Sequence, residues 1–184
     1  MIYNYYEAIE KYKNSYNLSK AIEKKEIYKI EKGLYSDDTK YRSLDVFIKK
    51  YNNPIFTMQS AFYYYGISDV IPDKYYIASS KSGSKYNISS IKQYYMDDSI
   101  LNIGETSIEY LGTKISIYSK ERLLIEIIRY KNMIDYDYYK EIINYYRKQI
   151  DDIDFQYILD ILTYFPKKEM IHKIIQEEVL WLTN

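Results

Sequence analysis

Along much of this chain apolar residues return every three or four positions, the spacing of one face of an α-helix. Tyr5, Ala8, Ile9 and Tyr12 set that spacing for a short helix over residues 3–13. Residues 13–17 form a polar turn, after which Leu18, Ala21 and Ile22 mark a second helix. Asn17 or Ser19 is placed to cap it, and its outer positions are Lys20, Lys24 and Lys25. The period then falls from 3.6 to 2. Ile27-Tyr28-Lys29-Ile30 alternates as a strand does, Glu31-Lys32-Gly33 supplies a turn, and Leu34-Tyr35-Ser36 returns. Helix, turn, helix and a small ribbon predict a winged-helix-like module over residues 1–40.

Residues 37–50 read as a connector followed by a helix carrying Leu44, Phe47 and Ile48. From Pro54 to Ser79 the order is helix, turn, strand. Thr57 is placed to cap a helix with the stripe Met58, Ala61, Phe62 and Tyr65, and Gly66 closes it. Pro72 and Asp73 break the chain before the aromatic and β-branched run 75–78. A serine-rich loop over 79–90 leads to a strand over 91–96. Ile108 and Tyr110 then pair with Ile115 and Ile117 across Leu111-Gly112-Thr113, giving a sheet with one apolar and one wet side.

The remaining third is helical in period. Leu123, Leu124, Ile127 and Ile128 make the widest stripe, over residues 120–132, and Tyr139, Ile142, Ile143 and Tyr146 make the next, over 135–149. Phe155, Ile158, Leu159 and Leu162 follow, Pro166 stops that helix, and a last one runs over 170–182 with Trp181 as its anchor to the core. The expected class is α+β. The small N-terminal module packs on an α/β domain, residues 41–184, with a small mixed or antiparallel sheet over about 75–118 and a C-terminal helical bundle over about 120–182.

Composition narrows the chemistry. With 184 residues, 47% hydrophobic and 18% aromatic, the chain has enough apolar material for a packed core. It lacks cysteine, which excludes disulfides and thiolate metal sites. No basic start followed by an apolar run suggests a signal peptide, and no window suggests a membrane span, so a cytoplasmic location is expected. The 27 tyrosines invite a base-stacking role. Their company of Ile, Lys and Asn is what an AT-rich coding sequence yields, and most fall where a core wants bulk.

The zero net charge conceals a gradient. Residues 1–52 carry 11 Lys and Arg against 8 Asp and Glu, while residues 121–184 carry 9 against 12. A basic start points to nucleic acid and an acidic end to a different partner. The exposed side chains suited to phosphate and groove contacts are Asn17, Ser19, Lys20, Lys24, Lys25, Lys29 and Lys32, from the second helix and the ribbon.

Catalytic patterns are missing. Ser82-Gly83-Ser84-Lys85 does not satisfy a phosphate-binding loop, which needs a second glycine directly before the lysine. Asp151, Asp152 and Asp154 read as a helix cap instead of a metal site, and His172 has neither a nucleophile nor a second ligand in pattern around it. Glu121, Arg122, Glu126, Arg129, Glu141, Arg147 and Lys148 read as mixed charges on solvated helix faces. Neither an enzyme nor a cofactor or metal is expected.

Three runs in order, Lys29-Ile-Glu-Lys-Gly-Leu-Tyr35, the segment from Ile55 to Pro72, and the segment from Ile117 to Arg129, resemble the AbiEi family. Those proteins are antitoxins and transcriptional repressors of bacterial type IV toxin–antitoxin and phage-abortive systems. The resemblance extends from about Tyr5 to Arg147. It implies a winged helix ahead of an α/β antitoxin domain, and binding to inverted repeats upstream of the protein's own operon; two half-sites related by symmetry would let a homodimer on DNA add its contacts. It also implies a nucleotidyltransferase toxin countered without a stable complex. The family carries another helix and a glycine-rich turn ahead of the helix pair found here, so a shortened module is expected. The alternative is a protein-binding inhibitor, encoded by a phage or mobile element, that keeps the fold and meets a nucleic-acid enzyme through its acidic C-terminal helices.

Overall fold

The computed structural model describes residues 1–180, and the expected anchor Trp181 lies outside them. The chain divides into two compact units, Met1–Asn53 and Pro54–Asn184, and both mix helices with strands, so the class is α+β.

The first unit begins with a strand that the helical period of its neighbours hides, β1 (Ile2–Asn4). Helix α1 (Tyr5–Tyr12) follows at once. Asn4 caps it, accepting from the Glu7 N–H while the Glu7 carboxylate accepts from the Asn4 N–H. Helix α2 (Ser15–Glu23) is capped by Asn14, not by Asn17 or Ser19. Lys13 in the left-handed conformation, φ 71°, ends α1 so abruptly that α2 begins three residues earlier than its apolar stripe suggests.

Strands β2 (Tyr28–Glu31) and β3 (Leu34–Ser36) form the expected ribbon, and the three-stranded sheet runs β1-β3-β2, all antiparallel. Ala8, Leu18, Ala21, Ile27 and Tyr35 form the core beneath both helices, flanked by Tyr3, Ile9, Tyr12 and Ile22. Helix α3 (Ser43–Lys50) packs against β1, and its Lys49 and Lys50 reach Glu7 and Glu31. Those contacts place residues 41–53 with this unit.

The second unit is built on a five-stranded mixed sheet. Its strands are β4 (Ile55–Phe56), β5 (Tyr75–Ser80), β6 (Ile91–Met96), β7 (Glu105–Tyr110) and β8 (Thr113–Tyr118), in the order β6-β5-β4-β8-β7. The β5–β6 and β4–β8 pairs are parallel, the other two antiparallel. The hairpin turn is the two-residue Leu111-Gly112, both with positive φ, and Thr113 already pairs with Tyr110. The expected wet side fails in the middle of the sheet. Strand β8 lies between β4 and β7, and Ile115, Ser116, Ile117 and Tyr118 are all buried, so both of its faces are covered.

Helix α4 (Met58–Tyr64) packs on β5, with Ala61 and Phe62 buried. Thr57 stands at its N-cap, yet its hydroxyl makes no capping hydrogen bond, because Met58 enters the helix at φ 48°. Gly66 takes φ 66° past its end, as a terminating glycine does.

A short α5 (Asp98–Leu101) precedes β7, and α6 (Lys120–Arg129) forms the centre of the unit. Residues 122–128 are buried without a break, the mark of a helix surrounded on all sides. Arg122 and Glu126 are among them, which overturns their expected place on a solvated face.

Helices α7 (Tyr136–Lys148), α8 (Phe155–Leu162) and α9 (Lys168–Ile174) complete the unit, the last passing into a π-helical segment, Ile175–Val179. Asp135 caps α7 and Asp154 caps α8, as carboxylates at helix N-termini do. On α8 the buried stripe is Ile158, Ile161 and Leu162, while Leu159, expected inside, is exposed. No helix among the described residues is long and apolar enough to cross a membrane.

Candidate nucleic-acid interface

The pair α1 and α2 is joined by Lys13 and Asn14 alone. The junction is fixed by side-chain bonds: Asn14 Oδ1 accepts from the Asn17 N–H at 2.8 Å, and the Asn17 side-chain amide donates to the Tyr12 carbonyl at 3.1 Å. Asn17 therefore ties the two helices together, a role that its expected place as a cap obscured. With Leu18 and Ala21 packed inward, the 100° step per residue turns Tyr16, Ser19, Lys20 and Glu23 outward. Tyr16 is 64% exposed and Lys20 Nζ sits 4.5 Å from its ring centroid, so an aromatic face and a cation share the outermost turn. Sequence reasoning placed Tyr16 in a turn. Its position i−4 to Lys20 was the signal that could have found it.

All seven residues singled out from the sequence are exposed. Lys24 follows the last turn of α2, Lys25 adopts φ 61° beside it, and Lys29 projects from β2. Lys32 and Gly33, with Gly33 at φ 82°, make the two-residue tip of the ribbon between the paired Glu31 and Leu34.

Four other cations of the unit are held in ion pairs. Lys49 Nζ meets Glu7 at 2.5 Å, Lys50 Nζ meets Glu31 at 2.7 Å, Arg42 meets Asp45 at 3.0 Å, and the terminal ammonium meets Asp37. Among the described residues Lys20, Lys24, Lys25, Lys29 and Lys32 enter no ion pair. The cations satisfied by carboxylates belong to α3, the segment before it and the chain start; those of α2, its following turn and the ribbon are unsatisfied, as are Lys11, Lys13 and Lys40 elsewhere in the unit. Glu23 and Glu26 lie in the same stretch and weaken the local field.

Partial burial pushes the Glu7 carboxyl up, but the hydrogen bonds from Lys49 and the Asn4 N–H and the Lys49 charge outweigh it, and the net shift is downward. The hydrogen bond to Glu31 raises Lys50. Asp37 is lowered first by its hydrogen bond from the terminal ammonium.

Among the described residues no group of three or more His, Cys, Asp or Glu side chains is placed to hold a metal ion. His172 lies half-buried on α9. The serine-rich loop after β5 is organised by Asp98, which accepts from Ser80 and, at 3.1 Å, from Ser82, and by a Lys81–Asp97 pair at 2.9 Å.

No protein-family model matches this sequence, and no curated protein matches it.

Proposed function

We propose that the protein is a DNA-binding transcriptional autoregulator and the antitoxin of a type IV toxin–antitoxin system of the AbiEi kind, opposing a nucleotidyltransferase toxin without forming a stable complex with it. The observation that carries the DNA-binding part is the set of five exposed lysines without acidic partners on α2 and the ribbon. The element order β1-α1-α2-β2-β3, with the sheet ordered β1-β3-β2, supports a winged-helix assignment. In that assignment α2 enters the major groove, Ser19 and Tyr16 face base edges, and Lys29 and Lys32 at the ribbon meet phosphates. Helix α3, braced on β1 and tied to Glu7 and Glu31, supplies from the C-terminal side the support that the helix preceding the pair gives in the family. Two copies on an inverted repeat add their half-site contacts.

An electrophoretic shift of the full chain on its own upstream DNA tests this. A shift at low salt that disappears as salt rises is expected, since displaced counterions drive phosphate binding. Absence of any shift at low salt overturns the DNA part. For the antitoxin part, co-expression with the neighbouring nucleotidyltransferase gene is expected to restore growth, and continued arrest overturns it.

A second reading, a protein-binding inhibitor, is favoured by one feature of the second unit, a cavity lined by four carboxylates and no cation.

A further inference from the structure

Between the N-terminal end of α7 and the segment joining α4 to β5 lies a cavity of about 540 Å³. Val70, Ile71, Pro72 and Ile134 give it apolar walls, and Tyr76 and Tyr138 give it aromatic ones. Asp73, Asp135, Asp137 and Glu141 also line it, without a lysine or arginine among them. Two of these carboxylates have duties inside the fold. Asp135 caps α7, and Asp73 accepts from the Tyr76 hydroxyl at 2.8 Å and stands 3.8 Å from Lys74. Asp137 and Glu141 enter no ion pair among the described residues, although they stand one turn apart on α7, where like charges repel. Gln59, also in the lining, has a buried side-chain oxygen with no hydrogen-bond donor among the described residues.

A second cavity, of about 300 Å³, shares Ile71, Pro72 and Asp73 with the first and is otherwise walled mainly by Tyr63, Tyr64 and Tyr75. The apolar part of this rim is open, with Ile71 of the shared lip 75% exposed and Val70, which lines the larger cavity alone, 53% exposed.

We infer that these two cavities are adjacent side-chain pockets for an extended segment of a protein partner, the larger taking a lysine or arginine and the smaller an aliphatic or aromatic residue. A basic side chain matches the larger pocket in each part. Its methylene stem covers the apolar wall, its charge relieves Asp137 and Glu141, and it lies against tyrosine faces. In an extended segment, side chains two residues apart emerge on the same side roughly 7 Å apart, which lets neighbouring pockets be filled across one lip. The exposed Val70 and Ile71 favour a polypeptide over a free organic cation, which would leave that apolar area wet. The inference is independent of DNA binding by the first unit.

The test is a ¹⁵N NMR titration of the full chain with the N-acetylated, C-amidated pentapeptide Gly-Arg-Ser-Leu-Gly. The amide signals of Ile71, Tyr76 and Glu141 are expected to move together, and Asp137→Asn and Glu141→Gln are each expected to weaken binding about threefold. Both variants alter exposed helix positions, and an unchanged circular dichroism melt verifies that they fold. Arginine amide alone is expected to bind at least about tenfold more weakly, for want of the leucine contact. No movement of these signals up to about 10 mM peptide overturns the inference. So do equal affinities for peptide and arginine amide, which assign the site to a free cation. Movement of the same signals on raising the protein concentration alone assigns it to a second copy of the chain and likewise overturns the inference.

Discussion

Arg122 and Glu126, one turn apart on α6, form an ion pair at 2.8 Å with both side chains sealed from solvent. The guanidinium also donates to the Ile100 and Ile103 carbonyls at 2.9 and 2.7 Å, and lies over the rings of Tyr118 and Phe165. Arg129 adds a second donor to the same Glu126 oxygen at 2.6 Å. The pair therefore ties α6 to α5 with the α5–β7 connection and to the segment that follows α8, holding two parts of the second unit to its central helix.

Glu126→Gln is expected to destabilise the second unit by about 3 kcal/mol, because it leaves a buried guanidinium without its counter-charge. Urea unfolding followed by circular dichroism measures it. The double variant Arg122→Met with Glu126→Leu is expected to lose less than the single change, since it removes both charges together.

Gly104 has the same neighbour. Its φ is 74°, and a Cβ placed there would stand 2.6 Å from Arg122 Cβ, so both backbone and space demand glycine. Gly104→Ala is expected to cost about 2 to 4 kcal/mol, the left-handed penalty together with the displacement of a buried side chain. A melting temperature within about a degree of the parent would contradict the packing described.

Alkaline pH provides a separate test of the tyrosine-rich core. Burial pushes Tyr65 up to about 12, and burial with the hydrogen bond to Asp73 does the same for Tyr76, while Tyr64, Tyr94, Tyr118 and Tyr146 are driven higher still, chiefly by burial. A phenol raised in the folded state binds its proton more tightly there than in the unfolded chain. Its contribution is intact below the ordinary tyrosine range and is lost as pH climbs through the raised value. Tyrosinate absorbance is expected to show a group of tyrosines that ionises only with loss of helical circular dichroism, and that merges with the rest in denaturant. Full ionisation near pH 10 with the fold intact would contradict this.

How much of this was legible in the sequence depended on whether neighbours or distant elements decided the outcome. The ribbon of β2 and β3, the strands β5 and β6, and the hairpin of β7 and β8 were visible because alternation and turn residues lie within a few positions of one another. Strands β1 and β4 were not, since three and two residues hold no period and exist only through pairing with β3, β5 and β8. Arg122 and Glu126 looked like a solvated i,i+4 pair. What buries them is the arrival of Met96, Ile100, Ile103 and Phe165 from 19 to 43 residues away, and no local pattern encodes that. The lysines of α2 and the ribbon were visible as basic, but their lack of carboxylate partners became apparent only when α3 folded back to occupy Glu7 and Glu31.

The most direct measurement is the salt dependence of affinity for a duplex carrying the upstream repeats, for the parent and for a variant with Lys20, Lys24, Lys25, Lys29 and Lys32 all changed to Ala. Contacts by all five lysines imply a slope of log K against log salt of about −4.5 for each bound chain. Each lysine removed is expected to flatten it by about 0.9, until the fivefold variant is nearly insensitive to salt. A parent slope near zero, or one that survives loss of all five lysines in a variant with an unchanged melt, would contradict the assignment of this surface to DNA.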